Sequence, residues 1–234
     1  AEQLINEANY EKEAQFICRF ENQLNQNEFT LPKVHSLSND NILVMSFVEG
    51  MPIEEAATLS QATRDKIATA LFTLFFTELF DLQLMQTDPN FANYLYHAET
   101  HKIGLLDFGA TREISDNIAS GYLSLFKALY LQDKTQIEQA ARSIGFFKAE
   151  IDAEYLTKIL NVFRIASEPL RLDHEYDFAS CTIATSLRNE SMSINKQKDQ
   201  WHTPPVDALF IHRKIAGLYL LAKRLNAKVN VHQL

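Results

Sequence analysis

The chain has 234 residues, 46% of them hydrophobic and 22% charged, the balance of a globular protein long enough to bury a core without disulfides. Six glycines and six prolines are too few for a turn-rich β-sandwich or a flexible linker. A net charge of -8 repels phosphate backbones and argues against nucleic acid as a partner.

Glu2 to about Gln26 reads as an amphipathic helix, with Ile5, Ala8, Phe16, Phe20 and Leu24 as its apolar stripe. Its first residues resemble the interior of a helix and no signal peptide is visible, so a piece of a longer protein is expected. After a turn-like link from Asn27 to Pro32, the pattern predicts strands at Lys33–Leu37 and Ile42–Val48, joined by the polar turn 38–41. Gly50 and Pro52 break the second strand, and a short helix follows over Ile53–Leu59. Ser60 caps a long helix running to about Met85, whose run Leu71, Phe72, Leu74, Phe75, Phe76, Leu79, Phe80 is apolar on nearly every side. That pattern marks a central buried helix more readily than a lipid pocket. A polar loop from Gln86 to Asn93 precedes two short strands, Tyr94–Tyr96 and Ile103–Leu106. Helices are then expected over about 116–131, 133–145, 150–166, 177–190 and 205–226.

Cys18 and Cys181 lie in apolar contexts without a CxxC spacing, and read as reduced core residues of a reducing compartment. His97 and His101 flank a polar turn and read as surface residues. Trp201 with Pro204 and Pro205 reads as a packed loop. The uncharged run 67–77 falls short of the roughly 20 residues that a membrane span needs. No acid follows Asp207, while Arg213, Lys214, Lys223, Arg224 and Lys228 are basic. Such an end suits a membrane surface or an acidic partner, or else forms a solvated helix end.

The informative stretch is Asp88-Pro89-Asn90-Phe91-Ala92-Asn93, then a hairpin, then Asp107-Phe108-Gly109. An Asp, an Asn five positions on, and an Asp-Phe-Gly form the order of kinase catalytic cores. Phosphoryl transfer needs metal ions on the phosphate oxygens and a carboxylate to orient the attacking hydroxyl. Magnesium prefers oxygen ligands, so Asp107 and Asn93 suit the metal and Asp88 the substrate proton. Taken singly, each piece is equally a β-turn or loop chemistry. Arg112 and Glu113 suit either a phosphate contact or a surface pair.

Four stretches resemble the UbiB-like atypical kinases, in the branch that supports coenzyme Q biosynthesis. They are Glu7-Ala8-Asn9-Tyr10 with Glu13-Ala14; Leu43-Val44-Met45 to Glu49-Gly50; Met85 to Asn93; and Leu105 to Glu113. The segment Ile211-His212-Arg213-Lys214 also looks like that branch. The resemblance implies an α+β, mostly helical, protein-kinase-like fold. Residues 1–50 would be a remnant of the N-terminal lobe and 51–234 the C-terminal lobe. It implies ATP and Mg²⁺ as cofactors and ATPase or small-molecule kinase activity, and as partners a nucleotide, a lipid or quinone precursor, coenzyme Q biosynthesis enzymes and a peripheral membrane surface. It also implies a place on the inner-membrane face of the bacterial cytoplasm or the mitochondrial matrix. Glu7 would match the helix glutamate that partners the ATP-binding lysine, and the strand ending at Glu49 would form the adenine hinge. Two departures stand out: the sequence has no lysine before Lys12 and no Gly-rich loop, and Asn9 stands where the family pattern has Asp. These departures favour the rival reading, a catalytically silent pseudokinase-like scaffold for lipid-pathway enzymes. The five residues between Gly109 and Ser115 leave no room for a protein-kinase activation segment.

Overall fold

Asn9 opens the first helix among the described residues, its side chain accepting from the backbone N–H of Lys12 at 2.9 Å, so α1 spans Tyr10–Gln23. A short amide side chain there satisfies an orphan N–H of the first turn. The computed structural model describes residues 9–147, 151–194 and 204–234. Glu7, the Ile5–Ala8 part of the stripe and Trp201 lie outside the described residues.

The region expected to form two strands over 33–48 holds only isolated bridges, Val34 with Met45 and Asn39 with Ile42. Side-chain hydroxyls take the ladder's bonds: Lys33 N–H donates to Ser46 Oγ at 2.8 Å and Val44 N–H to Ser38 Oγ at 3.0 Å. Regular pairing occurs on either side instead, at β1 (Phe29–Thr30) and β2 (Met51–Pro52). Pro52 is tolerated because β2 is an edge strand. The 3₁₀ turn Ile53–Thr58 then leads to Ser60, which caps α2 (Gln61–Phe76) by accepting from Thr63 N–H at 3.2 Å.

α2 ends earlier than the periodicity predicts. A π-helical turn over Thr77–Asp81 and a positive φ of 48° at Gln83 release the chain into β3 (Leu84–Gln86). An apolar run cannot distinguish a buried strand from a buried helix by period alone. Here β3 is drawn out by pairing with β6 (Thr111–Glu113), Gln86 opposite Thr111. Between them β4 (Tyr94–His97) and β5 (Lys102–Leu105) form an antiparallel hairpin. Tyr94 and Tyr96 point into the core from alternate positions, as expected of strand residues. Parallel β1 and antiparallel β2 extend that hairpin into a four-stranded sheet of order β1-β5-β4-β2.

The rest is mostly helical: α3 (Asp116–Leu131), α4 (Lys134–Ile144), α5 (Ala153–Ala166), α6 (Glu168–Arg171), α7 (Ile183–Ile194) and α8 (Val206–Arg224), all but the short α6 overlapping an expected helix. A short pair, β7 (Tyr176–Asp177) with β8 (Lys228–Val229), replaces the expected helical start at 177. Phe72 and Phe75 of α2 are almost fully buried in the core they share with α8, which bears out the central-helix reading. No helix among the described residues is long and apolar enough to cross a membrane.

One expectation of burial is corrected. Cys18 is exposed and Cys181 only partly buried, because Cys18 sits between buried Ile17 and exposed Arg19 on the rim of the α1 stripe. At the basic end Lys214 is buried, while Arg213, Lys223, Arg224 and Lys228 stay exposed as a solvated helix end would have them; Arg213 meets Asp88, Lys223 donates to the Cys181 carbonyl and Arg224 faces Glu54.

Candidate functional site

The turn after β5 carries Asp107-Phe108-Gly109. Asp107 Oδ1 accepts from Gly109 N–H at 2.9 Å, an Asx-type turn that fixes the carboxylate at the end of the strand. Phe108 is 1% exposed and its ring lies 5.0 Å from Phe20 of α1, pinning the turn onto that helix. Two turns earlier on α1, Glu13 Oε1 accepts from Phe108 N–H at 3.2 Å. Burial raises the Glu13 carboxyl above its ordinary value, the Phe108 N–H opposes this, and the Asp107 charge raises it further.

On the other side of the hairpin, the segment between β3 and β4 carries Asp88 and Asn93. Asn90 accepts from Ala92 N–H at 3.1 Å, which closes the 3₁₀ turn Phe91–Asn93 and brings Asn93 back beside Asp88. Asn93 Nδ2 then donates to Asp88 Oδ2 at 3.1 Å. Arg213 of α8 approaches Asp88 Oδ1 at 3.4 Å, so the carboxylate is held between an amide and a guanidinium. Thr87 joins the two halves: its N–H and hydroxyl both donate to the Ala110 carbonyl, at 3.2 and 2.6 Å.

A cleft of about 830 Å³ results, lined by Glu13, Asp88, Asp107, Gly109 and Arg213 and overhung by Leu43 and Met45. Asn93 and Asp107 share the wall of a smaller recess beside it. The structure therefore brings Asp88, Asn93 and Asp107 together. Glu49 is exposed just before β2 and does not line this cleft. Glu7 is not among the described residues.

The donor set fits magnesium. Asn93 spends Nδ2 on Asp88, so its Oδ1 accepts no hydrogen bond among the described residues, and neither does Asp107 Oδ2. One carboxylate plus one amide oxygen, with no cluster of three metal-binding side chains among the described residues, suits a cation that completes its shell with phosphates and water. Neither Arg112 nor Glu113 pairs with the other. Arg112 meets Asp207 at 3.2 Å and lies over Phe210, while Glu113 takes Arg19 at 2.6 Å.

Three contributors are given no site role by the sequence. Glu13 stands in a motif but its partner is a backbone N–H, which leaves no mark in the sequence. Arg213 and Gly217 come from α8, and a Cβ at Gly217 would lie 2.5 Å from Pro89 Cβ.

The family model of the ABC1 atypical kinase-like domain matches residues 1–141. The mitochondrial atypical kinase COQ8B of Danio rerio is 30% identical over 228 residues, covering 97% of this chain and 36% of that protein. The mitochondrial atypical kinase COQ8 of Saccharomyces cerevisiae is 30% identical over 233 residues, covering 97% of this chain and 46% of that protein. The chain thus spans less than half the length of these curated relatives. Among solved structures, Rv3197 of Mycobacterium tuberculosis, determined with erythromycin, superposes with a TM-score of 0.76 at 18% identity, covering 97% of this chain and 57% of that one. This last likeness speaks for the fold alone.

Proposed function

Because the chain belongs to the ABC1 atypical kinase-like family, we propose that it carries the catalytic lobe of an ATP-dependent atypical kinase or ATPase that supports coenzyme Q biosynthesis. In this reading residues 1–50 are the remnant of an upper lobe and residues 51–234 the lower lobe. The observation that carries it is the Asp88–Asn93 hydrogen bond at 3.1 Å, on a cleft that Asp107 also lines.

The chemistry is transfer of the terminal phosphoryl group of ATP to water or to a small-molecule hydroxyl, with ADP leaving. Asp88 takes up or orients the proton of the attacking oxygen, and Asn93 holds its carboxylate still. Asp107 and Asn93 hold Mg²⁺, which when bound neutralises charge on the phosphate oxygens. Glu13, two turns before Phe20 on α1, anchors the Asp-Phe-Gly turn through the Phe108 N–H, and Glu7 keeps in this reading the role of partner to an ATP-binding lysine. β6 begins two residues after Gly109 and α3 soon follows, which leaves no platform for a peptide and favours a small substrate. The relatives bear mitochondrial names, and we extend that compartment to this chain.

The rival reading, a silent scaffold, is favoured by Asn9, whose helix-capping bond accounts for it without chemistry. Phosphate release from full-length protein decides between them. Asp88→Asn is expected to keep nucleotide binding and lower turnover by about 10²-fold or more, the reach of a positioned acid-base group. Equal rates in parent and variant would support the scaffold.

A further inference from the structure

Lys214 is a charged side chain only 2% exposed, set into the core from the middle of α8. Lysines are almost never buried this deeply without a partner. Its ammonium donates to the Gln86 carbonyl at 2.7 Å and to Gln86 Oε1 at 3.2 Å. It also meets the equally buried Glu78, at 3.2 Å to Oε1 and 2.9 Å to Oε2. Burial pulls the lysine down, but the Glu78 and Tyr94 side chains together outweigh it and hold the ammonium's pKa above its ordinary value.

A buried pair of this kind is poor evidence of stability, since well-packed apolar residues often serve as well or better. What distinguishes this pair is where it delivers a hydrogen bond. Gln86 ends β3, and Asp88 lies two residues further on. From the other side, the Ala110 carbonyl holds Thr87 through two hydrogen bonds. One turn beyond Lys214, the bare Cα of Gly217 lets α8 close on Pro89. The loop around Asp88 is therefore gripped on both flanks by one helix, and Glu78 in the π-helical turn fixes the gripping ammonium.

We infer that Lys214 is a positioning residue for Asp88: its bond to the Gln86 carbonyl sets where the carboxylate stands in the cleft, with Glu78 as its anchor. This rests on the phosphoryl-transfer reading. A group displaced by an ångström can cost about 10²-fold in rate while binding survives.

The test is the double variant Lys214→Met/Glu78→Leu in full-length protein, which removes both charges and keeps apolar volume. It is expected to unfold near the parent's temperature and bind Mg²⁺-nucleotide within a few-fold of the parent. Its kcat is expected to fall by about 10²-fold with KM for nucleotide little changed. A folded double variant with the parent's kcat overturns the positioning role and leaves a plain core pair. Should the double variant not fold, Glu78→Gln decides, because it removes the anchoring charge at nearly constant volume and leaves Lys214 in place. A kcat lowered by ten-fold or more with KM for nucleotide little changed supports the role, and a folded variant with kcat within a few-fold of the parent overturns it. If instead the parent and Asp88→Asn turn over ATP equally, the phosphoryl-transfer reading itself fails, a result distinguishable from either of these.

Discussion

The ring of Phe108 rests against that of Phe20 at 5.0 Å with a 56° tilt, so the Asp-Phe-Gly turn is packed onto α1 by a side chain 1% exposed. Glu13 on the same helix reaches the Phe108 N–H, giving the turn two attachments to one element. Its position thus follows that of α1.

Phe20→Ala should therefore cost about 3–5 kcal/mol of stability, the range for emptying a buried aromatic site. The loss is read by urea denaturation. An unchanged midpoint would mean that α1 does not pack on the turn in solution.

Asp107→Asn is expected to abolish Mg²⁺-dependent nucleotide affinity, because it removes the anionic oxygen from a donor pair that otherwise offers only an amide. Titrating Mg²⁺ with a non-hydrolysable nucleotide on full-length protein measures it. Equal affinity in the variant would return the Asp-Phe-Gly to being a turn.

Gly217→Ala should destabilise the protein by about 1–3 kcal/mol, the ordinary cost of overpacking. The added methyl would meet Pro89 at 2.5 Å, and Pro89 adjoins Asp88. Denaturation gives the stability, and phosphate release shows whether the loop yields instead. A variant matching the parent in both would show that α8 stands further off.

The resemblance to kinase cores was legible because the chemistry fixes local spacing: Asp88, Asn93 and Asp107 fall within one short stretch of chain. The helices after Ser115 were legible for the same local reason. What the sequence could not display was long-range partnership. Lys214 and Gln86 stand 128 residues apart, and a lysine in a basic tail gives no sign that a carboxylate is buried beneath it. The end of α2 was misread because Leu82–Met85 continues an apolar pattern while β6 draws it into a strand. The 33–48 strands failed because Ser38 and Ser46 divert the ladder, a competition that propensity does not register.

Acid should weaken the fold through His212, which stacks on Phe146 at 5.4 Å and meets the Tyr122 hydroxyl at 3.0 Å. Burial lowers its pKa from 6.5 to about 4. The neutral ring's contribution is therefore whole above pH 6.5 and is lost as pH falls toward 4, by up to about 3 kcal/mol at about 1.4 kcal/mol per unit. His212→Phe should flatten the fall in unfolding temperature between those pH values. Parallel curves for parent and variant would place the ring in contact with solvent.

The grip of α1 and α8 on the loop also bears on how the molecule comes into being. Phe108 takes its support from a residue 95 positions earlier, and Asp88 meets one 125 positions later. Closing such long stretches of chain must precede the contacts that reward it, and folds built this way are slow. The β4–β5 hairpin can form early and locally, but the cleft between Asp88 and Asp107 takes shape only when the last long helix has docked. During refolding, nucleotide-binding competence should lag behind the recovery of helical signal.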